Sequence, residues 1–303
     1  MRKIFASIDV GSDLIKLVVA EVTHNNRMNI LASAHVESLG VKKGFIVNPE
    51  ALIPKLQEVF LKCENIIGLK IDKVLAVVPS ENSEFFLGEG STTITNDEHM
   101  IRQSDLIHAM QGCTYNRISD DREIVSIKPT SYIIDDERTV DNPVGIEAVK
   151  LTVKSLVVTI PRKNVYTLVK CLEKIGVQVI DFSLSSIGDY SEFQKGMMKE
   201  TVGCIINIGY QTTTVSIFNK GLLTNTETLD VGSYHMETDL AYIFKIPLRE
   251  AKDVKMTLAS AHKRGVSASI KKKYTTKTGE EISISEYEAT EVVSSRLEEI
   301  LNL

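Results

Sequence analysis

Residues Lys3 to Val10 form a largely apolar run that closes on Asp9, Gly11 and Ser12 break it, and a second apolar run follows from Ile15 to Val22. That order predicts strand, tight turn, strand. Met28 to His35 predicts a third strand. Pro49 opens a helix in which Leu52, Leu56, Val59, Phe60 and Cys63 share one face. Val74 to Val78, closed by Pro79, predicts a short buried strand. From Ser80 to about Val158 strands such as Glu123 to Ile127 and Lys150 to Thr159 alternate with polar connections around one helix, Asp105 to Gly112. This texture predicts a small α+β insertion.

Pro161 to Gly176 predicts a helix with the stripe Val165, Leu168, Val169, Leu172 and Ile175, stopped by Gly176. A strand from Val177 to Phe182 follows, then a second strand–turn–strand from Cys204 to Phe218. Helical patterns cover Met236 to Phe244 and Leu248 to Ala261. A polar hairpin around Gly279 leads to a helix from about Ser285 to Leu303. Leu297, Ile300 and Leu301 keep that last helix in rhythm to the final residue, which predicts a chain cut rather than finished. The segments Ile8 to Val19 and Ile206 to Phe218 share a plan: apolar strand, acid or amide, glycine, polar turn, apolar strand. Their recurrence predicts two related domains with a hairpin at an equivalent place.

Composition narrows the class. The chain has 303 residues, 43% hydrophobic and 25% charged, which predicts about two folded domains. A net charge of -5 argues against a general nucleic-acid binder, since phosphate neutralisation needs a basic face. The tight basic run Lys271 to Lys273 reads as a solvated strand or loop edge. Cys63, Cys113, Cys171 and Cys204 lack metal-like spacing and read as reduced, buried side chains. No stretch reaches the ~18 apolar residues of a membrane-spanning helix. The start Met1-Arg2-Lys3 is basic, but Asp9 interrupts the apolar run too early for a secretory signal, and the expected location is cytoplasmic.

The hairpins carry the candidate chemistry. A tight turn gathers backbone N–H groups around a phosphate oxygen. Gly11 permits close approach, Ser12 adds a hydroxyl, and Lys16 supplies a point charge. Asp9 is placed to hold Mg²⁺ through waters.

The first hairpin resembles the phosphate-1 motif of the actin superfamily. Asp121 to Val153, with the turn Asn142-Pro143-Val144-Gly145, resembles the inserted subdomain of the FtsA cell-division family, and Val74 to Phe85 and Leu229 to Lys255 resemble further FtsA segments. The resemblance implies an α/β, actin-like (ribonuclease-H-like, duplicated) fold: two domains, an FtsA-type α+β insertion, and an incomplete second domain. It implies a first actin-like subdomain over 1–79, the inserted subdomain over 80–160 and a return over 161–182. A truncated second actin-like subdomain then covers 183–225, and a small second-half subdomain covers 226–303.

By position, the resemblance assigns Asp9, Gly11, Ser12 and Lys16 to phosphate-1. It assigns Asn207, Gly209, Tyr210, Thr212 and Lys255 to the rest of the nucleotide site, with Asp9 facing Mg²⁺ through water. ATP would lie in a cleft between the two domains. The expected function is an adaptor that self-associates and links FtsZ filaments to the cytoplasmic membrane at the septum. The FtsZ C-terminal tail would dock within Thr226 to Arg296, Arg296 pairing with its carboxylates. The membrane link would be a C-terminal helix that this chain lacks.

Three departures argue for at most a weak ATPase. Asn207 replaces the usual phosphate-2 acid, with no acid from there to Phe218. Ser185 occupies the water-orienting position, and Lys252 stands where the family usually has Glu. Two alternatives stay open: an actin-like protein of pilus or organelle assembly, and a degenerate relative that binds partners without hydrolysing ATP. No segment resembles the acid-bearing sugar pocket of a kinase of this fold.

Overall fold

A computed structural model describes residues 3–23, 25, 27–193 and 201–303; of the basic start, Met1 and Arg2 lie outside them. The chain forms two compact units, Met1–Ile205 with Val215–Glu227, and Ile206–Thr214 with Thr228–Leu303.

Unit 1 opens with β1 (Lys3–Val10), β2 (Leu14–Val22) and β3 (Met28–Glu37), then the short pair β4 (Val41–Lys42) and β5 (Phe45–Ile46). Helix α1 (Pro49–Ile67) follows, then β6 (Lys73–Val78). Asn48 starts α1 by accepting from the Ala51 amide at 3.2 Å, and Gly68, at φ 69°, ends it. Its expected face, Leu52, Leu56, Val59, Phe60 and Cys63, is buried. Burial of side chains of this size contributes about 1.5–3 kcal/mol each, so this face holds α1 on the sheet.

The insertion comprises β7 (Glu84–Thr93), α2 (Gln103–Gly112), β8 (Arg122–Ile134), β9 (Arg138–Val140) and β10 (Lys150–Pro161), its sheet ordered β7-β10-β8-β9. Helix α2 lies so close to β7 that a Cβ on Gly90 would stand 2.1 Å from the Ala109 carbonyl oxygen. The two ends of the insertion meet, Glu84 pairing with Thr159. Arg122 clasps them: its guanidinium donates to Asn82 O at 2.8 Å and Thr159 O at 2.9 Å, and pairs with Glu84 at 3.0 Å.

Helix α3 (Arg162–Lys174) then leads to β11 (Gln178–Leu184), which completes the order β11-β6-β1-β2-β3. Strands β1 and β6, and β6 and β11, are parallel; β1–β2 and β2–β3 are antiparallel hairpins. Helix α4 (Ser185–Phe193) packs through Tyr190, whose ring stacks on Phe218 at 4.3 Å. Residues of β12 (Val202–Ile208), β13 (Thr213–Asn219) and β14 (Leu222–Leu229) form a three-stranded sheet in that order.

Unit 2 adds α5 (Ser233–Ile243), α6 (Leu248–Thr257), β15 (Lys271–Thr275), β16 (Glu281–Ser285) and α7 (Glu286–Asn302) around a core that includes Leu240, Ile246, Val254, Ile284 and Ala289. Lys271 to Lys273 lie in β15, where Lys272 pairs with Asp253 and Lys273 with Glu281.

Two expectations need correction. The helix expected to reach Ala261 ends at Thr257, because the Ser260 amide donates to the buried Thr290 hydroxyl at 3.0 Å instead of to a carbonyl one turn back. Cys204 is exposed, not buried, because strand alternation turns its side chain to the open face of β12; Cys63, Cys113 and Cys171 are buried and free.

Candidate functional site

In unit 1 the turn between β1 and β2 is closed by the Gly11 amide, which donates to Leu14 O at 3.0 Å. Ser12 Oγ accepts from the Gly44 amide at 2.9 Å, which fixes the hydroxyl oxygen and leaves its proton to donate elsewhere. Asp9 and Lys16 face each other across the ladder, Oδ2 to Nζ at 3.8 Å, their side chains 46% and 57% exposed. Burial raises the Asp9 pKa, Lys16 works against that, and the nearby Asp189 charge adds to it. Asp189, on α4, carries no local sequence signal. It matters only because the fold brings α4 toward a strand end far away in the chain.

Ser185 is the first residue of α4 and half-buried. The helix is anchored beside it by Ser186, whose hydroxyl accepts from Ser216 at 2.7 Å. A serine hydroxyl there can orient a water only as a neutral donor or acceptor.

In unit 2 Asn207 lies near the end of β12, and the turn beyond it is closed by the Gly209 amide donating to Thr212 O at 2.9 Å. The first amides of α5 hold its outer side: Ser233 N donates to Gly209 O at 2.9 Å and Tyr234 N to Tyr210 O at 2.7 Å. His235 Nδ1 accepts from the Gly232 amide at 3.1 Å and so caps α5. Thr213, next to Thr212, ties the turn to Val231 O at 2.8 Å through its hydroxyl.

Tyr210 donates its phenol to Glu237 at 2.9 Å, and Lys255 pairs with the other oxygen of that carboxylate at 2.6 Å. Glu237 is fully buried. Lys255, assigned to a nucleotide on sequence grounds, thus has its ammonium engaged inside unit 2. Lys252 stands over the Tyr210 ring, 5.4 Å from its centre. Glu237 was missed in the sequence because its partners lie 18 and 27 positions away.

Arg296 lies in a groove between α5 and α7 lined by Asp239, Tyr242, Ile243, Phe244 and Val292 among others. Its guanidinium forms a two-pronged pair with Asp239, at 2.6 and 3.0 Å, and reaches Glu299 at 2.7 Å. The guanidinium expected to pair with an acidic tail is therefore already paired within the chain. Glu288 and Glu291 also line the groove, Glu291 paired with Lys263 at 3.2 Å. Tyr242 stands 85% exposed beside it. Among the described residues no three His, Cys, Asp or Glu side chains gather as a metal site.

Comparison with known proteins fits this geometry into a family. The model of the "SHS2 domain inserted in FTSA" matches residues 82–159, the stretch Arg122 clasps, and the model "Cell division protein FtsA" matches residues 204–301. FtsA of Bacillus subtilis (strain 168) is 24% identical over 303 residues, all of this chain and 69% of that protein. FtsA of Streptococcus pneumoniae serotype 2 is 24% identical over 98% of this chain and 65% of its own. The chain spans about two thirds of the length of these relatives. Among solved structures, MreB5 of Spiroplasma citri bound to ADP superposes with a TM-score of 0.56 at 14% identity, covering 99% of this chain and 77% of that one. The PilM-PilN type IV pilus biogenesis complex gives 0.55 at 14%, covering 84% of this chain and 69% of that one. At such identity these two show the actin-like fold alone. The two family models together cover more than half of the chain, and with the likeness to FtsA proteins along all of this chain they place it: the chain belongs to the FtsA family of cell-division proteins.

Proposed function

We propose that the protein is an ATP-binding cell-division adaptor of actin-like fold that self-associates and links FtsZ filaments to the cytoplasmic membrane at the septum. The observation that carries the nucleotide part is the closed turn at Gly11, with the Ser12 hydroxyl fixed at its oxygen and Lys16 beside it. These groups fit a polyphosphate: a tight glycine turn, a hydroxyl proton and a half-exposed ammonium. Asp9 would hold Mg²⁺ through water, and the cation would offset the burial that disfavours its carboxylate. Mg²⁺, when bound, supplies neutralising charge to phosphate oxygens.

Asn207 favours binding without turnover. An amide brings no negative charge to a cation, and Ser185 is a neutral group at the water-orienting position, so any ATPase activity is weak. The FtsZ tail docks on unit 2 in the α5–α7 groove, where Tyr242, Ile243, Phe244 and Val292 supply apolar area. Its acidic rim favours the apolar and basic residues of that tail over its carboxylates. The membrane link is the C-terminal amphipathic helix that the family implies.

The test is ATP affinity in Mg²⁺ for the parent chain and for Lys16→Ala. Losing a charged donor to phosphate is expected to weaken binding about 10- to 100-fold. A parent chain that binds no ATP at millimolar concentration, while folded by circular dichroism, would sink the nucleotide reading.

A further inference from the structure

The 209–212 turn is held by more than its own backbone. Gly209 O and Tyr210 O are both pinned by the first amides of α5. In a trans peptide the N–H points opposite the preceding carbonyl, so the Tyr210 and Gln211 amides are aimed away from α5. What keeps Tyr210 in that pose is its side chain. The phenol reaches Glu237 on α5, Lys255 from α6 reaches the same carboxylate, and the ring meets Tyr234 edge-on at 5.3 Å. A fully buried carboxylate persists only when its partners satisfy it, so these three groups form one coupled brace. The Lys255 side chain is only 13% exposed and its charge is spent within the brace.

We infer that Glu237 is a positioning residue: acting through Tyr210, and with Lys255 as its counter-charge, it sets the shape of the turn at which unit 2 would meet a nucleotide phosphate. This rests on the nucleotide reading for its use, but not for its structural content. Lys255 is on this view a brace and not a ligand contact.

The experiment compares the full chain with Tyr210→Phe, Glu237→Gln, the double variant, Lys255→Arg and Lys255→Met. Two quantities are read: amide hydrogen exchange of residues 208–214 without nucleotide, and ATP affinity. Tyr210→Phe and Glu237→Gln are each expected to speed exchange in that segment and weaken ATP binding by roughly tenfold, the worth of one hydrogen bond to a charged group. The double variant should be no worse than Glu237→Gln, because the two act as a unit. Lys255→Arg should retain parent behaviour and Lys255→Met should match Glu237→Gln. Should Glu237→Gln fail to fold, Tyr210→Phe, which removes one hydroxyl, carries the exchange measurement alone. Unchanged exchange at 208–214 in a folded Tyr210→Phe would overturn the inference, as would additive losses in the double variant. If the parent binds no ATP, the nucleotide reading falls and the exchange result still decides whether Glu237 positions the turn.

Discussion

At Gly232 a Cβ would stand 2.7 Å from two carbonyl oxygens, those of Gly209 and Tyr210. The residue has φ -163°, an extended conformation open to any side chain, so the demand for glycine is purely one of space. Neither carbonyl can retreat without breaking its hydrogen bond to α5. Gly232→Ala is therefore expected to destabilise the fold by about 1–3 kcal/mol, the cost of forced overpacking. A thermal melt within a degree of the parent would contradict this. The Asp9-Gly11-Ser12 turn was legible in the sequence because its chemistry lies within eight consecutive residues. Glu237 and Asp189 were not, since each gains its meaning from a partner that only folding brings near. Asp239 opposite Arg296 was hidden for a related reason: periodicity places Arg296 on a helix face without showing what stands across from it.

Among elements, α7 shows how a start signal is written. Ser285 Oγ accepts from the Glu288 amide at 3.2 Å, and Glu288 accepts from the Ser285 amide at 2.9 Å. Ser285→Ala removes half of this reciprocal cap and is expected to cost about 1 kcal/mol. The check is a denaturant melt; a midpoint unchanged with equal slope would refute it. Helices α1 and α3 were readable because apolar spacing and a terminal glycine are local properties. The end of α6 was not, because Thr290, on a different helix, captures the chain at Ser260.

For the molecule as a whole, titrating carboxyls shift in both directions. In unit 2, Asp253 is held below its ordinary 3.8 by Lys272 and then Tyr274, and Glu288 below 4.5 by the Ser285 hydroxyl and amide. A carboxyl with a lowered pKa lends stability that is complete above its ordinary value and is lost as pH falls toward the folded value. In unit 1, the raised Asp9 pKa has the reverse effect, since protonation relieves its burial. All three groups are partly exposed, so each contributes less than about 1 kcal/mol after solvent screening. Taking the pH from 7 to about 3.5 is therefore expected to lower hydrogen-exchange protection in residues 228–303 before it does so around Asp9. Equal loss in both regions would argue against this.

The clasp that Arg122 makes on Asn82, Glu84 and Thr159 has a consequence for how such a chain is inherited. A passage whose two doorways stand side by side leaves the surrounding thread undisturbed when it is swapped. The stretch between them can be gained, lost or replaced as a single cassette, and its partners can diverge while the sheet beneath keeps its order.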